Sequence, residues 1–136
     1  MKKIALLVIA LMMVASVAFA QKITPANLGD LKGTWTGVAT FDLNVNCVAE
    51  LVIQNDTVPV KASITLSNVP DFLAQQLGLT GGTNTFSSDE GKITTQGSLM
   101  FVGPNKNFME FSLKRNKLDG WFYYNEAKGD MMLHKK

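Results

Sequence analysis

The sequence predicts an all-β fold, namely an antiparallel up-and-down β-barrel of about eight strands with one short helix. Apolar and polar residues alternate with period two over several stretches, short turn-forming tracts separate those stretches, and no helical repeat follows residue 20. Each strand has one apolar face to bury, which requires a closed barrel or a two-layer β-sandwich. Hairpin-length breaks and the need to protect sheet edges favour the barrel, and the β-sandwich is the alternative.

The predicted strands place aliphatic and aromatic side chains on one face and polar side chains on the other. The alternating stretches cover residues 34–43, 47–54, 58–67, 92–102, 108–115, 117–124 and 130–135. In the first stretch Trp35, Phe41 and Leu43 share the apolar face, and in the third Lys61 and Thr65 lie on the polar face. This pattern predicts an apolar interior and a polar exterior, which is the reverse of an outer-membrane barrel.

Turn-forming residues mark the predicted connections between strands. They occur at residues 44–46, 55–56, 103–105, 115–117 and 125–129. Asp89 and Glu90 before Gly91 are also typical of a hairpin turn. Residues 80–85 are small and polar, which predicts an exposed, mobile loop followed by a short irregular strand near Phe86.

Small residues recur on the predicted inward faces. They are Gly37, Ala39, Ala49, Ala62, Gly97 and Gly120. A tightly curved barrel needs small residues where it bends, and they would also leave space inside it.

One segment departs from the strand pattern and predicts one or two helical turns. Asp71 is suited to cap the start of this helix, and Gly78 is suited to end it. Phe72, Leu73 and Leu77 would share an apolar stripe along the helix.

Residues 1–20 are predicted to be a cleaved signal peptide. Lys2 and Lys3 precede an apolar run from Ile4 to Phe19, and residues 18–20 read Ala-Phe-Ala, a cleavage site. The run is shorter than the roughly 20 residues of a spanning helix. We therefore expect residues 21–136 to form a single domain. It would be exported to the periplasm or the exterior of a bacterial cell and would not be an integral membrane protein.

The charge balance argues against a polyanionic partner. The chain has 13 Lys and Arg against 11 Asp and Glu, and loss of Lys2 and Lys3 with the signal peptide would bring the net charge to zero. A neutral protein of this kind is not expected to bind nucleic acid.

The residues that carry chemistry do not assemble into a catalytic or metal site. Cys47 lies on the apolar face of its predicted strand, which indicates a buried, inert thiol. His134 would lie on the opposite face of its strand from Met131 and Leu133, so its side chain is expected to be exposed to solvent. One Cys and one His leave no zinc site, and no nucleophile has a base and an orienting partner. We expect no enzyme activity and no cofactor.

Residues 27–37 resemble the opening of lipocalin-like (calycin-type) proteins, in which a short helical turn leads to Gly-x-Trp at the first strand. Gly33, Thr34 and Trp35 match this motif, and residues 118–135 are similar to the closing hairpin of small bacterial lipocalin-like domains. The resemblance implies that Trp35 closes one end of the barrel. It also implies a basic side chain from a late strand packed on this ring, for which Arg115 and Lys117 are candidates by position.

Two functions follow from the predicted fold. The first is the binding of a small hydrophobic ligand inside the barrel. The side chains expected to line such a site are Trp35, Phe41, Leu51, Ile64, Leu99, Phe101, Phe111, Phe122 and Tyr124.

The second function is that of an exported barrel with a filled interior, which inhibits a hydrolase or docks on an envelope protein through its loops or an aromatic surface patch. If Phe122 and Tyr124 face the core, then Trp121 and Tyr123 face solvent and could form an aromatic interaction patch. The alternative is that these rings cover Phe108 or Met132 on a neighbouring strand.

Overall fold

The computed structural model describes residues 21–42 and 44–136. In this part of the chain eight strands form one closed antiparallel barrel, in which each strand pairs with the next and the last pairs with the first. The strands are β1 (Gly33–Phe41), β2 (Val45–Ile53), β3 (Val60–Val69), β4 (Gly82–Ile93), β5 (Leu99–Val102), β6 (Phe108–Lys114), β7 (Lys117–Tyr124) and β8 (Ala127–Lys135). The predicted up-and-down barrel is confirmed, and the β-sandwich alternative is wrong. The predicted signal peptide, residues 1–20, and Leu43 lie outside the described residues.

The strands bury one face each because their apolar residues recur at every second position. In β2 the side chains of Cys47, Ala49, Leu51 and Ile53 are buried, whereas Val48 between them is exposed. The same alternation holds along β3 and β8. The core is therefore the inside of the closed sheet.

Two helices and the N-terminal segment cover the ends of the barrel. The lower end, where β1 begins, is covered by α1 (Leu28–Leu31) and by Ile23, whose amide donates to the Gly97 carbonyl at 2.8 Å. The upper end is covered by α2 (Asp71–Leu77), which joins β3 to β4. Both helices bury leucines against the barrel interior, so apolar packing fixes them in place.

The α2 helix agrees with the predicted segment, but its buried face differs. Leu73 and Leu77 are buried together with Ala74, whereas Phe72 is 57 % exposed. Phe72 and Leu73 are consecutive residues about 100° apart around a helix, so the short helix buries only one of them. Asp71 is the first helical residue and makes no side-chain cap.

The region from residue 80 to residue 98 differs from the prediction. A 12-residue strand, β4, begins at Gly82 where a mobile loop was predicted, and Asp89 and Glu90 lie within it, not in a hairpin turn. The turn to β5 lies at residues 94–98, where Gly97 has φ of +83° and does not face inward from a strand. Backbone pairing with β3, including Phe86 opposite Ile64, holds this strand although few of its side chains are apolar.

Candidate ligand-binding cavity

Trp35 closes the lower end of the barrel. Its indole Nε1 donates a 2.8 Å hydrogen bond to the carbonyl of Leu31, the last residue of α1. The Nζ of Lys135 lies 5.8 Å from the ring centroid and also donates to the Asp30 carbonyl at 2.7 Å. This basic side chain comes from β8 and was not among the candidates named from the sequence. Because a cation over an indole and a buried hydrogen bond both restrain the ring, Trp35 holds α1 against the barrel.

A cavity of about 580 Å³ occupies the upper part of the barrel and opens to the surface. Its size falls within the range of about 300–1,000 Å³ that is usual for small-molecule sites. The side chains of its inner wall are apolar, and they include Phe41, Leu51, Ala62, Ile64, Phe101 and Phe122. Leu79, Phe86 and Tyr124 line it near the upper end. The interior is therefore not filled completely by its own side chains.

The structure brings together six of the nine residues predicted to bind a ligand. Those that line the cavity are Phe41, Leu51, Ile64, Phe101, Phe122 and Tyr124. The other three lie outside its lining: Trp35 belongs to the closed lower end, and Leu99 and Phe111 are fully buried opposite each other on β5 and β6. These three side chains pack the lower core.

The mouth of the cavity is a gap in the barrel wall. β4 pairs with β5 only at its last two residues, Lys92 with Met100 and Ile93 with Leu99. Above these pairs the two strands part, and residues 87–90 of β4 line the cavity from one side while residues 102–105 and 107 line it from the other. We call this opening the β4–β5 slit.

Glycines beside the cavity make room for aromatic rings. A Cβ at Gly129 would lie 2.4 Å from the Phe122 ring, and one at Gly91 would lie 2.4 Å from the Phe101 ring. Gly120 stands in the same relation to Phe111. At these positions the space left by the missing side chain is occupied by a ring of the protein itself.

Hydrogen bonds of two asparagine side chains connect the elements at the upper end of the barrel. Asn125, in the turn between β7 and β8, donates from Nδ2 to the Leu77 carbonyl at 2.9 Å. Its amide N donates to Asn107 Oδ1 at 2.9 Å, and the Asn107 Nδ2 donates to Asn125 Oδ1 at 3.3 Å. These bonds connect α2 to the β5–β6 connection that forms one side of the β4–β5 slit.

Polarity rises from the inner wall to the mouth. Ser87, Ser88, Asp89 and Glu90 supply the β4 side of the slit, and backbone, amide and apolar groups supply the opposite side. Among the described lining residues the charged ones are Asp89 and Glu90, and none is Lys, Arg or His. An apolar chamber with a polar mouth suits a ligand that has an apolar body and a polar end.

Cys47 and His134 do not contribute to the cavity. Cys47 is buried in β2, and desolvation raises the pKa of its thiol, which disfavours the nucleophilic thiolate. His134 is exposed on β8. The described residues contain no group of three or more His, Cys, Asp or Glu placed to hold a metal ion.

The four consecutive aromatics of β7 alternate across the wall. Phe122 is buried and Tyr124 lines the cavity, whereas Trp121 is 52 % exposed on the outer face. The Trp121 ring packs edge-on against Phe108 with centroids 4.7 Å apart. Tyr123, predicted to face solvent, is half-buried, and its ring lies nearly parallel to that of Phe108 with centroids 6.4 Å apart. Phe108, one of the two neighbours expected for these rings, packs against both of them.

Sequence reasoning missed the residues that form the mouth. Phe86, Ser88 and Glu90 reach it because β4 continues above its pairing with β5. A signal for this strand was present, since Thr83 and Thr85 are β-branched and alternate with the larger side chains of Asn84 and Phe86. The two glycines at residues 81–82 masked it.

The fold and the cavity define a class of protein: an eight-stranded up-and-down β-barrel with an apolar chamber that opens through its wall. No protein-family model matches the chain, and no curated protein or solved structure matches it. None of the helices in the described part of the chain is both long and apolar enough to span a membrane.

Proposed function

We propose that this protein is an exported binding protein that holds a small hydrophobic ligand inside its barrel. The observation that carries the proposal is the cavity of about 580 Å³, because its inner wall is apolar and it is connected to the surface. Burial of apolar ligand surface at about 25 cal/mol per Å² would drive binding. Export through the signal peptide at residues 1–20 is part of the proposal.

A relationship to lipocalin-like proteins is also part of the proposal. It is supported by the sequential eight-stranded barrel and by the position of Gly33-Thr34-Trp35 at the start of β1. The contacts of Trp35 with Leu31 and Lys135 at the closed end support it further, because the resemblance implied a basic side chain there.

A fluorescence titration tests the binding function. N-Phenylnaphthylamine, an uncharged apolar dye, should gain intensity on saturable binding and should be displaced by long-chain alcohols. The variant Ala62→Leu adds bulk to the cavity wall and should weaken dye binding by tenfold or more. The matched control is Ser67→Leu, which adds the same side chain to the outer face of the same strand. Absence of saturable binding by the wild type, or equal loss in both variants, would refute ligand binding in the cavity.

The second candidate function is docking on an envelope protein through the outer face of β5, β6 and β7. Trp121 is half exposed beside Phe108 and Tyr123, and Val102 next to Phe108 is 49 % exposed. Contiguous exposed aromatic and aliphatic surface is typical of interaction sites. Capture of a specific envelope protein that is lost with Trp121→Ala and retained with Val48→Ala, an exposed residue of β2, would support it. Equal capture by both variants would remove the patch from consideration.

A further inference from the structure

We propose that the cavity selects uncharged and cationic amphiphiles over carboxylate lipids, with the polar end of the ligand held in the β4–β5 slit. This inference rests on the proposed binding function and names the chemical class of its ligand. It is based on the apolar inner wall of the cavity and on the position of the charged residues at its mouth.

The cavity fixes the direction in which an amphiphile can lie. Phe41, Leu51 and Phe122 form the inner wall, and no charged side chain among the described residues lines that wall. A charged head group placed there would lose its hydration without gaining a partner, which is strongly unfavourable. The apolar chain must therefore occupy the chamber, and the head group must stay at the mouth.

The mouth presents negative charge on one side and neutral groups on the other. Asp89 and Glu90 lie on the β4 side, and both are exposed where the strand bulges away from its pairing with β3. The opposite side carries Gly103, Pro104 and Asn107. A head group in the slit is therefore close to two carboxylates, whose field attracts an ammonium group and repels a carboxylate.

Three basic residues could oppose this selection: Lys61 on β3 opposite the bulge, Lys92 on β4 and Lys106. Lys61 and Lys92 are exposed and do not line the cavity. Lys106 lies in the β5–β6 connection between two lining residues, Asn105 and Asn107, but its own side chain is exposed and is not part of the lining. A carboxylate ligand would have to leave the slit to pair with any of these lysines. In bulk solvent such a pair is weak and is screened by salt.

Competition among three ligands with the same chain tests the inference. Decylamine, decanol and decanoate are each used at neutral pH to displace N-phenylnaphthylamine from the purified protein at low ionic strength. We expect decylamine to bind about fivefold more tightly than decanoate, with decanol between them, and the ratio to shrink as salt is added. Decanoate binding as tightly as decylamine would overturn the inference while leaving ligand binding intact. If none of the three displaces the dye, the proposed function itself fails.

Matched variants locate the selection. The double variant Asp89→Asn, Glu90→Gln should reduce the amine-to-carboxylate ratio to about twofold or less, because it removes both charges from the slit. Asp71→Asn makes the same change on α2, above the chamber, and should leave the ratio unchanged. Lys106→Gln should also leave it unchanged. A ratio that falls equally in the slit and α2 variants, or that rises sharply with Lys106→Gln, would show that the slit does not hold the head group.

Discussion

The side chain of Asn125 is hydrogen-bonded to the backbone carbonyl of Leu77 at 2.9 Å, across 48 residues of sequence. Leu77 is the last residue of α2, and its carbonyl has no partner further along the helix because the chain turns at Gly78 with φ of +71°. Asn125 therefore fastens the end of the helix that covers the upper end of the barrel. The same asparagine is hydrogen-bonded to Asn107 beside the β4–β5 slit. Asn125 therefore connects α2 to one side of the slit.

Removal of this anchor should loosen α2 without unfolding the barrel. Asn125 has a positive φ of 47°, a conformation that glycine adopts without strain, so Asn125→Gly removes the side-chain bonds alone. Loss of about 1 kcal/mol should raise hydrogen exchange of the amides of residues 74–79 by roughly fivefold. Exchange in β1 and β2 should not change.

The matched control for this variant is Asn105→Gly. Asn105 has φ of 57° in the β5–β6 connection and forms no hydrogen bond with α2. Faster hydrogen exchange of the α2 amides in this control, or unchanged exchange in Asn125→Gly, would show that the Asn125 side chain does not hold α2 in place.

Closure of the barrel should be sensitive to one methyl group at Gly37. A Cβ at this position would lie 1.8 Å from the Met132 carbonyl oxygen, in the β8 backbone, which cannot move without breaking the β1–β8 pairing. We expect Gly37→Ala to lower the free energy of unfolding by about 3 kcal/mol in a urea titration. Gly29→Ala in α1 has nothing within 4 Å of the new Cβ and should be neutral or slightly stabilising. Similar stability of the two variants would contradict the tight approach of β8 to Gly37.

The barrel itself could be predicted because most strands have one solvent-exposed face and one buried face. Cys47, Ala49 and Leu51 lie between exposed or half-exposed neighbours, and period-two patterning reports this directly. The pattern is weak in β4, where Phe86 and Ile93 are the only large apolar residues among many polar ones. Burial still alternates between exposed and half-buried positions over residues 83–89, but the half-buried Asn84 and Ser88 are polar, so the sequence does not show this as an alternation of apolar and polar residues.

The cavity could be predicted only in part, for a related reason. Phe41, Leu51 and Ile64 could be predicted to line the cavity, because the alternation that places them on the inner face is a local property of each strand. The mouth depends on where two strands stop pairing, which is decided by the whole barrel and leaves no local pattern in the sequence. The contact between Lys135 and Trp35 is likewise set by the β1–β8 register, which places these residues opposite each other.

The two tryptophans should respond differently to the same substitution. Each indole Nε1 donates a hydrogen bond, Trp35 to the buried Leu31 carbonyl at 2.8 Å and Trp121 to the exposed Glu110 Oε1 at 3.0 Å. Phenylalanine removes the donor in both cases. Because the Leu31 carbonyl then lacks its partner away from water, Trp35→Phe should cost about 1–3 kcal/mol in the free energy of unfolding, and Trp121→Phe less than about 0.5 kcal/mol. Equal losses, measured by urea denaturation, would contradict the role of Trp35 at the closed end.

The buried thiol of Cys47 should be both unreactive and a source of pH-dependent stability. Desolvation raises the pKa of this thiol in the folded protein, so the thiolate forms at higher pH than in the unfolded chain. Ellman's reagent should therefore react with Cys47 slowly in the native state and rapidly in denaturant. The folded thiol keeps its proton at a pH where the unfolded thiol loses it. This contribution to stability is therefore complete below the ordinary thiol pKa and is lost as the pH rises through the pKa of the folded state. The stability difference between wild type and Cys47→Ala should accordingly shrink as the pH rises above that ordinary value. Rapid native labelling, or a difference that is constant with pH, would show that the thiol is reached by solvent.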